Sequence, residues 1–128
     1  MAYNILVVDD SETVRAVISK AIGMADVPVK NLLTAVNGRE ALDILGREWV
    51  DLVFADINMP VMGGVEMVRL MKADQDMKDI PVVIVSTEGS ATRIKELMES
   101  GVRAFLRKPF TPEGIKKTID GIMGDMKS

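Results

Sequence analysis

The chain has neither cysteine nor histidine. Without thiols it has no disulfide framework, no zinc–thiolate site and no redox thiol. Without imidazole it has no His-based zinc site, no Ser-His-Asp triad and no phosphohistidine of its own. Any phosphohistidine in its chemistry must come from a partner. A strong basic excess is missing too. Sixteen lysines and arginines against nineteen acidic residues give −3, a balance that argues against nucleic-acid binding. No apolar run approaches the ~18 residues of a membrane-spanning helix. The N-terminus, Met1-Ala2-Tyr3-Asn4, lacks a basic segment, and the apolar run over residues 5–8 stops at Asp9. No signal peptide is therefore read, and a cytoplasmic location without membrane attachment is expected. No linker, repeat or low-complexity stretch interrupts the chain, so residues 1–128 are expected to form one domain with no effector domain. A hydrophobic fraction of 48% excludes wholesale disorder. At this length a domain buries roughly two-thirds of its unfolded surface, enough for a core without metal or disulfide staples.

What is present is a regular alternation. Apolar, β-branched runs at residues 5–8, 32–36, 52–55, 82–85 and 104–106 predict five strands. Between and after them, helical spacing recurs. Val14, Val17, Ile18, Ala21 and Ile22 form one stripe, bracketed at its end by Gly23 and Pro28. Ala41, Leu42 and Leu45 mark a second helix reaching about residue 48, after an Asn37-Gly38 turn. Val65, Val68 and Met71 mark a third over residues 65–72. Ile94, Leu97 and Met98 mark a fourth with Ser90 as its cap, and Ile115, Ile119, Ile122 and Met126 a fifth. Thr111-Pro112 is a helix start, with Thr as N-cap and Pro at the first helical position. Five β–α units with apolar strands imply a doubly wound α/β domain, its parallel sheet covered on both faces.

Polar residues gather at one kind of place. Asp9 and Asp10 end the first strand, Asp56 the third, Ser86 and Thr87 the fourth, and Lys108 follows the fifth. In an open parallel sheet, sites form outside the carboxyl ends of the strands, so these groups are expected to converge. Three close carboxylates repel one another unless a cation is present, and Mg²⁺ suits such oxygen donors. Each residue also has a plainer reading. Asp10 is equally well placed to cap the first helix. Lys108 fits a structural ion pair, although the following Pro109 opens the way to a cis bond that aims the lysine at the strand ends. Ser86 and Thr87 fit turn positions. Together, three carboxylates, a lysine and a hydroxyl suit a carboxylate that takes up a phosphoryl group, with cations neutralising the transferring oxygens.

These residues resemble a known family. Val7-Val8-Asp9-Asp10-Ser11, Asp56-Ile57-Asn58-Met59-Pro60 with Gly63-Gly64, Ser86-Thr87-Glu88 and Lys108-Pro109-Phe110 occur in order, each at a strand end. Across essentially its whole length the chain is similar to a response-regulator receiver domain of two-component signalling, of the stand-alone CheY-like kind. The resemblance implies a flavodoxin-like sheet of order 2-1-3-4-5. It implies that Asp56 is the phosphoacceptor, that Asp9 and Asp10 hold Mg²⁺ (or Mn²⁺) with Asp56, and that the backbone carbonyl of Asn58 is a further ligand. Lys108 matches the lysine that contacts the phosphoryl group, commonly before a cis bond to Pro109. The family's switch hydroxyl lies thirty residues after the acceptor and ends the fourth strand, which selects Ser86 over Thr87. Phe105 falls at the switch aromatic of the fifth strand, where Tyr is commoner.

The implied activity is a switch, not an enzyme beyond its own phosphorylation and dephosphorylation. A histidine kinase or phosphotransfer protein supplies the phosphoryl group, in chemotaxis or another pathway. An output protein then binds the surface of the fourth helix, fifth strand and fifth helix, with the chain a monomer. Arg93, Lys95, Arg103, Arg107, Lys116 and Lys117 give that surface an expected preference for an acidic partner. The 25–30 connection looks long for the family and leaves the start of the second strand open. The alternative is a small Mg²⁺-dependent aspartyl-phosphate phosphatase, but such enzymes carry the acceptor in a DxD pattern on the first strand and have a cap domain. A flavodoxin-like electron carrier is disfavoured because Asp9-Asp10 would repel a flavin phosphate.

Overall fold

The computed structural model describes residues 2–86, 91–108 and 110–127, with side chains through residue 124. The elements run β1 (Tyr3–Val8), α1 (Glu12–Met24), β2 (Val29–Ala35), α2 (Gly38–Leu45), β3 (Leu52–Ala55), α3 (Gly64–Lys72), β4 (Val82–Ser86), α4 (Ala91–Glu99), β5 (Ala104–Arg107) and α5 (Pro112–Lys127). The strands form one sheet of order β2-β1-β3-β4-β5, parallel at every pairing.

The period-2 geometry of a strand divides its side chains between two cores. Leu6, Val8, Val53, Ala55, Val82 and Ile84 face one side. There they meet Ile44 and Leu45 of α2, Met67, Val68 and Met71 of α3, and Leu97 of α4. Ile5, Val7, Leu52, Phe54, Val83 and Val85 face the other, against Ile18, Ala21 and Ile22 of α1 and Ile115, Ile119, Ile122 and Met123 of α5. This double cover explains why β1, β3 and β4 read as unbroken apolar runs.

Several boundaries differ from the sequence expectation. β2 begins at Val29, three residues before residue 32, and the preceding connection shrinks to residues 25–28. Lys30 and Asn31 are polar because β2 is an edge strand and exposed at those positions, where ladder hydrogen bonds hold it, while Val29 packs half-buried against the core on the α1 side. A register shift between Tyr3 and Asn4 takes up the extra residue. α2 ends at Leu45 instead of near residue 48, where the Gly46 N–H returns to the Leu42 carbonyl at 3.0 Å. Asn37 is the N-cap of α2, its side chain accepting the Glu40 N–H at 2.9 Å. Two stripes are narrower than their spacing suggests: Val17 of α1 is 53% and Met98 of α4 42% exposed. At the start of α5, Thr111 Oγ1 accepts the Gly114 N–H at 3.0 Å, as its capping role requires. Ser90 and the Met126 side chain lie outside the described residues. No helix among the described residues is long and apolar enough to cross a membrane.

Candidate functional site

Parallel pairing brings the carboxyl ends of all the strands to one edge of the sheet. The ladder continues one step beyond β1 and β3. Asp9 N–H donates to the Ala35 carbonyl and Asp56 N–H to the Val8 carbonyl, each at 3.1 Å. These bonds set the two aspartates side by side. Beyond β5, Lys108 N–H donates to the Ser86 carbonyl at 2.8 Å, bringing the lysine to the end of β4.

One carboxylate oxygen from each of Asp9, Asp10 and Asp56 lies within 4.8 Å of the others. Their surroundings differ. Asp9 is buried, Asp56 half-buried and Asp10 exposed. Asp9 Oδ1 accepts the Ser11 N–H at 2.9 Å, while Asp9 Oδ2 is buried and accepts no hydrogen bond among the described residues. Lys108 Nζ stands 3.8 Å from that oxygen, within ion-pair range but beyond hydrogen-bond length. Burial pushes the Asp9 carboxyl above the usual carboxylate value. The Ser11 N–H works against the shift, the charge of Asp56 adds to it, Lys108 opposes it, and Asp10 adds a little more.

Asp10 is not the helix cap. Ser11 takes that role, its Oγ accepting the Val14 N–H at 3.2 Å, so the Asp10 carboxylate stays with the cluster. Asp56 Oδ1 accepts the Ile57 N–H at 2.7 Å. Asn58 is exposed on the next loop, where it lines an open recess of about 400 Å³ with Ile57, Met59, Pro60 and Gly63. Ser86 is buried at the end of β4. Phe105 pairs with Ile84 across β5 and β4 and is half-buried against the core on the α4 side. Thr87, Glu88 and Pro109, named in the sequence motifs, lie outside the described residues, and with them the cis-bond expectation.

Some positioning residues had no sequence signal. Arg15 Nη1 donates to the Asp9 carbonyl at 2.7 Å, clamping the acidic turn from the second turn of α1. Met62 is buried, and its carbonyl accepts the Gly38 N–H at 2.8 Å, which fastens the loop after Asp56 to the start of α2. Gly63 and Gly64 read as loop punctuation, but they serve close approach. A Cβ on Gly63 would sit 2.6 Å from the Ile57 carbonyl oxygen, and one on Gly64 would strike the Asp56 carbonyl oxygen.

Residues 5–120 match the family model described as the response regulator receiver domain. The chain belongs to that family. It is 36% identical over 124 residues to the chemotaxis protein CheY homolog of Campylobacter jejuni, covering 94% of this chain and 92% of that protein. It is 32% identical over 121 residues to the chemotaxis protein CheY1 of Helicobacter pylori, covering 94% and 96%. The solved structure of CheY4 from Vibrio cholerae superposes with a TM-score of 0.84 at 33% identity, over 95% of this chain and 99% of that one. This is therefore a CheY-like receiver domain, a signalling module and not an enzyme of the usual kind. Receiver domains bind Mg²⁺ in an acidic pocket. The donor set here fits such an ion: three carboxylates converge, and Asp9 Oδ2 is a buried acceptor without a hydrogen bond among the described residues.

Proposed function

We propose that this receiver domain is a phosphorylation-dependent switch in which Asp56 takes a phosphoryl group from a phosphohistidine of a histidine kinase or phosphotransfer protein. A carboxylate oxygen of Asp56 bonds to phosphorus as the P–N bond breaks, and the departing imidazole nitrogen keeps the electron pair. The carboxylates of Asp9, Asp10 and Asp56 and the backbone carbonyl of Asn58 hold Mg²⁺, or Mn²⁺ in its place. When bound, such an ion would neutralise charge on the phosphoryl oxygens. Lys108 supplies a second positive charge and Ser86 a neutral hydrogen-bond donor. The observation that carries this reading is the convergence of three carboxylates within 4.8 Å, with the Lys108 ammonium beside them.

The output follows from the same site. Drawing Ser86 toward the phosphoryl group frees space beneath β5, and Phe105 turns inward to fill it. A charge-assisted bond is worth roughly 1.5–3 kcal/mol, enough to shift a two-state population about tenfold or more. The α4–β5–α5 surface then changes its affinity for an output protein, in a chemotaxis-type role like that named for the relatives, with the chain acting as a cytoplasmic monomer. Among the described residues, two of the six cations expected to favour an acidic partner are already engaged there. Arg93 pairs with Glu96 at 3.9 Å and Lys116 with Asp120 at 2.8 Å. The preference therefore rests on Lys95, Arg103, Arg107 and Lys117.

Phosphoramidate treatment followed by intact-protein mass spectrometry tests the central claim. The wild-type chain gains one phosphoryl group when Mg²⁺ is present and none in chelator, and Asp56→Asn gains none. An Asp56→Asn protein that still gains one overturns the assignment.

A further inference from the structure

The opposite end of the sheet carries a second concave feature that phosphorylation chemistry does not use. Val50 and Asp51 lead into β3 and Ile80 leads toward β4, so they lie at the amino ends of strands whose carboxyl ends bear the acidic cluster. With ~3.3 Å per strand residue, Asp51 and Asp56 are separated by roughly 15 Å. Between these two connections runs a groove of about 460 Å³. Leu45, Val50 and Ile80 line it with aliphatic surface, and Trp49 stands beside them.

Trp49 is the only tryptophan of the chain and is 77% exposed. It is nevertheless held in place. Its indole N–H donates to Asp51 Oδ1 at 3.0 Å, and Asp51 Oδ2 accepts the Asn4 N–H at 2.8 Å. The ring is thereby tethered to the end of β1 with much of its surface open. Glu48, Asp76 and Asp79 complete the rim, so among the described residues four carboxylates line the groove and no lysine or arginine does. Arg47 and Lys78 are neighbours in sequence but are not among the lining residues.

We propose that this groove docks a partner-protein segment in which an aliphatic side chain is flanked by arginine or lysine. The aliphatic side chain fills the floor formed by Leu45, Val50 and Ile80. A guanidinium or ammonium stacks on the tethered indole and pairs with the rim carboxylates. An acidic segment is repelled by the same rim, so the charge pattern selects as well as attracts. A partly covered tryptophan beside an apolar floor is the kind of anchor on which binding energy concentrates. Because the groove lies at the far end of the sheet, a partner bound there leaves the acidic cluster uncovered. The proposal is independent of the phosphorylation reading and is tested without divalent ions.

Trp49 reports on the groove directly. The acetylated, amidated pentapeptide Arg-Leu-Arg-Leu-Arg is titrated into the full chain in chelator while tryptophan emission and acrylamide quenching are followed. The expected result is a saturable blue shift with protection from quenching, weakened by salt. The Asp76→Asn/Asp79→Asn double variant, its fold checked by circular dichroism, loses affinity by about fivefold or more. The matching peptide Glu-Leu-Glu-Leu-Glu produces no shift. The proposal is overturned by an absent or unsaturable response to the basic peptide, by an equal response to the acidic one, or by unchanged affinity in the double variant. It is equally overturned if sedimentation shows a dimer of this chain that Trp49→Ala dissociates, since the groove would then be covered by a second copy.

Discussion

Lys108 Nζ faces Asp9 Oδ2 at 3.8 Å, and that oxygen is the buried side-chain atom that accepts no hydrogen bond among the described residues. The ammonium is close enough to offset charge yet too far to satisfy the oxygen. A buried carboxylate oxygen left in this state costs free energy, and the cost is relieved by a proton or by a cation bound between the aspartates.

Removing the ammonium should therefore strengthen metal binding. Lys108→Ala is expected to bind Mg²⁺ about two- to fivefold more tightly, since one competing positive charge is gone from a partly exposed site. Its response to phosphorylation should be impaired, because the second cation on the phosphoryl oxygens is lost. Amide NMR shifts at Asp9, Asp10 and Asp56 are the appropriate readout, because Trp49 sits at the other end of the sheet. A clear loss of Mg²⁺ affinity in this variant would contradict the electrostatic account.

Asp9 gives the fold a specific pH dependence. Its carboxyl is raised above the usual carboxylate value, chiefly by burial, so the folded chain holds this proton more tightly than the unfolded chain. The stability from that extra proton is present at acid pH and is lost as pH rises through the window above the usual value. In chelator at pH 7, Asp9→Asn should raise Tm by a few degrees, equivalent to about 1 kcal/mol in a domain of this size. Near pH 3, where Asp9 is protonated in either state, the advantage should vanish. Saturating Mg²⁺ should stabilise the wild type more than Asp9→Asn, reversing or narrowing the gap. Thermal melts over this pH range, with and without Mg²⁺, check all three outcomes.

Gly64 is required for space. A methyl group there would collide with the Asp56 carbonyl oxygen, part of a rigid backbone segment. Gly64→Ala should destabilise the chain by about 1–3 kcal/mol and displace the backbone beside Asp56. Urea unfolding measures the first effect, and a reduced phosphoramidate reaction rate the second. Unchanged stability would mean that the backbone beside Asp56 yields to a methyl group at little cost.

Val61 carries local strain. Its φ is +70°, in the left-handed region that β-branched residues avoid, and Met62 N–H donates to the Pro60 carbonyl across it at 2.8 Å. The side chain is 81% exposed, so little packing compensates. Val61→Asn should stabilise the fold by about 1 kcal/mol, because asparagine tolerates this conformation better. A destabilised variant in urea would show that Val61 makes a contribution its exposure conceals.

Much of the molecule was legible in its amino-acid order. Unbroken apolar runs marked β1, β3 and β4 because double-sided burial leaves no room for alternation. The polar residues that terminate those runs, Asp9, Asp56 and Ser86, stood out for the same reason. Periodicity had less hold on the margins. The start of the edge strand β2 is half-exposed, so Lys30 and Asn31 broke its apolar signature after Val29. Val17 and Met98 have core-like spacing but extend beyond the surface that the sheet offers them.

Sequence alone thus determined the five β–α units and the residues at the strand ends, because burial and helical spacing leave their marks locally along the chain. Tertiary structure alone decided how those ends meet. It made Ser11 the cap and left Asp10 in the cluster, turned Arg15 onto the Asp9 carbonyl, placed Lys108 opposite Asp9, and set Trp49 over an acidic groove at the far end. Such relationships join residues distant in sequence through backbone direction and register. They arise only when the sheet assembles, because no local pattern encodes the distance between two strand ends.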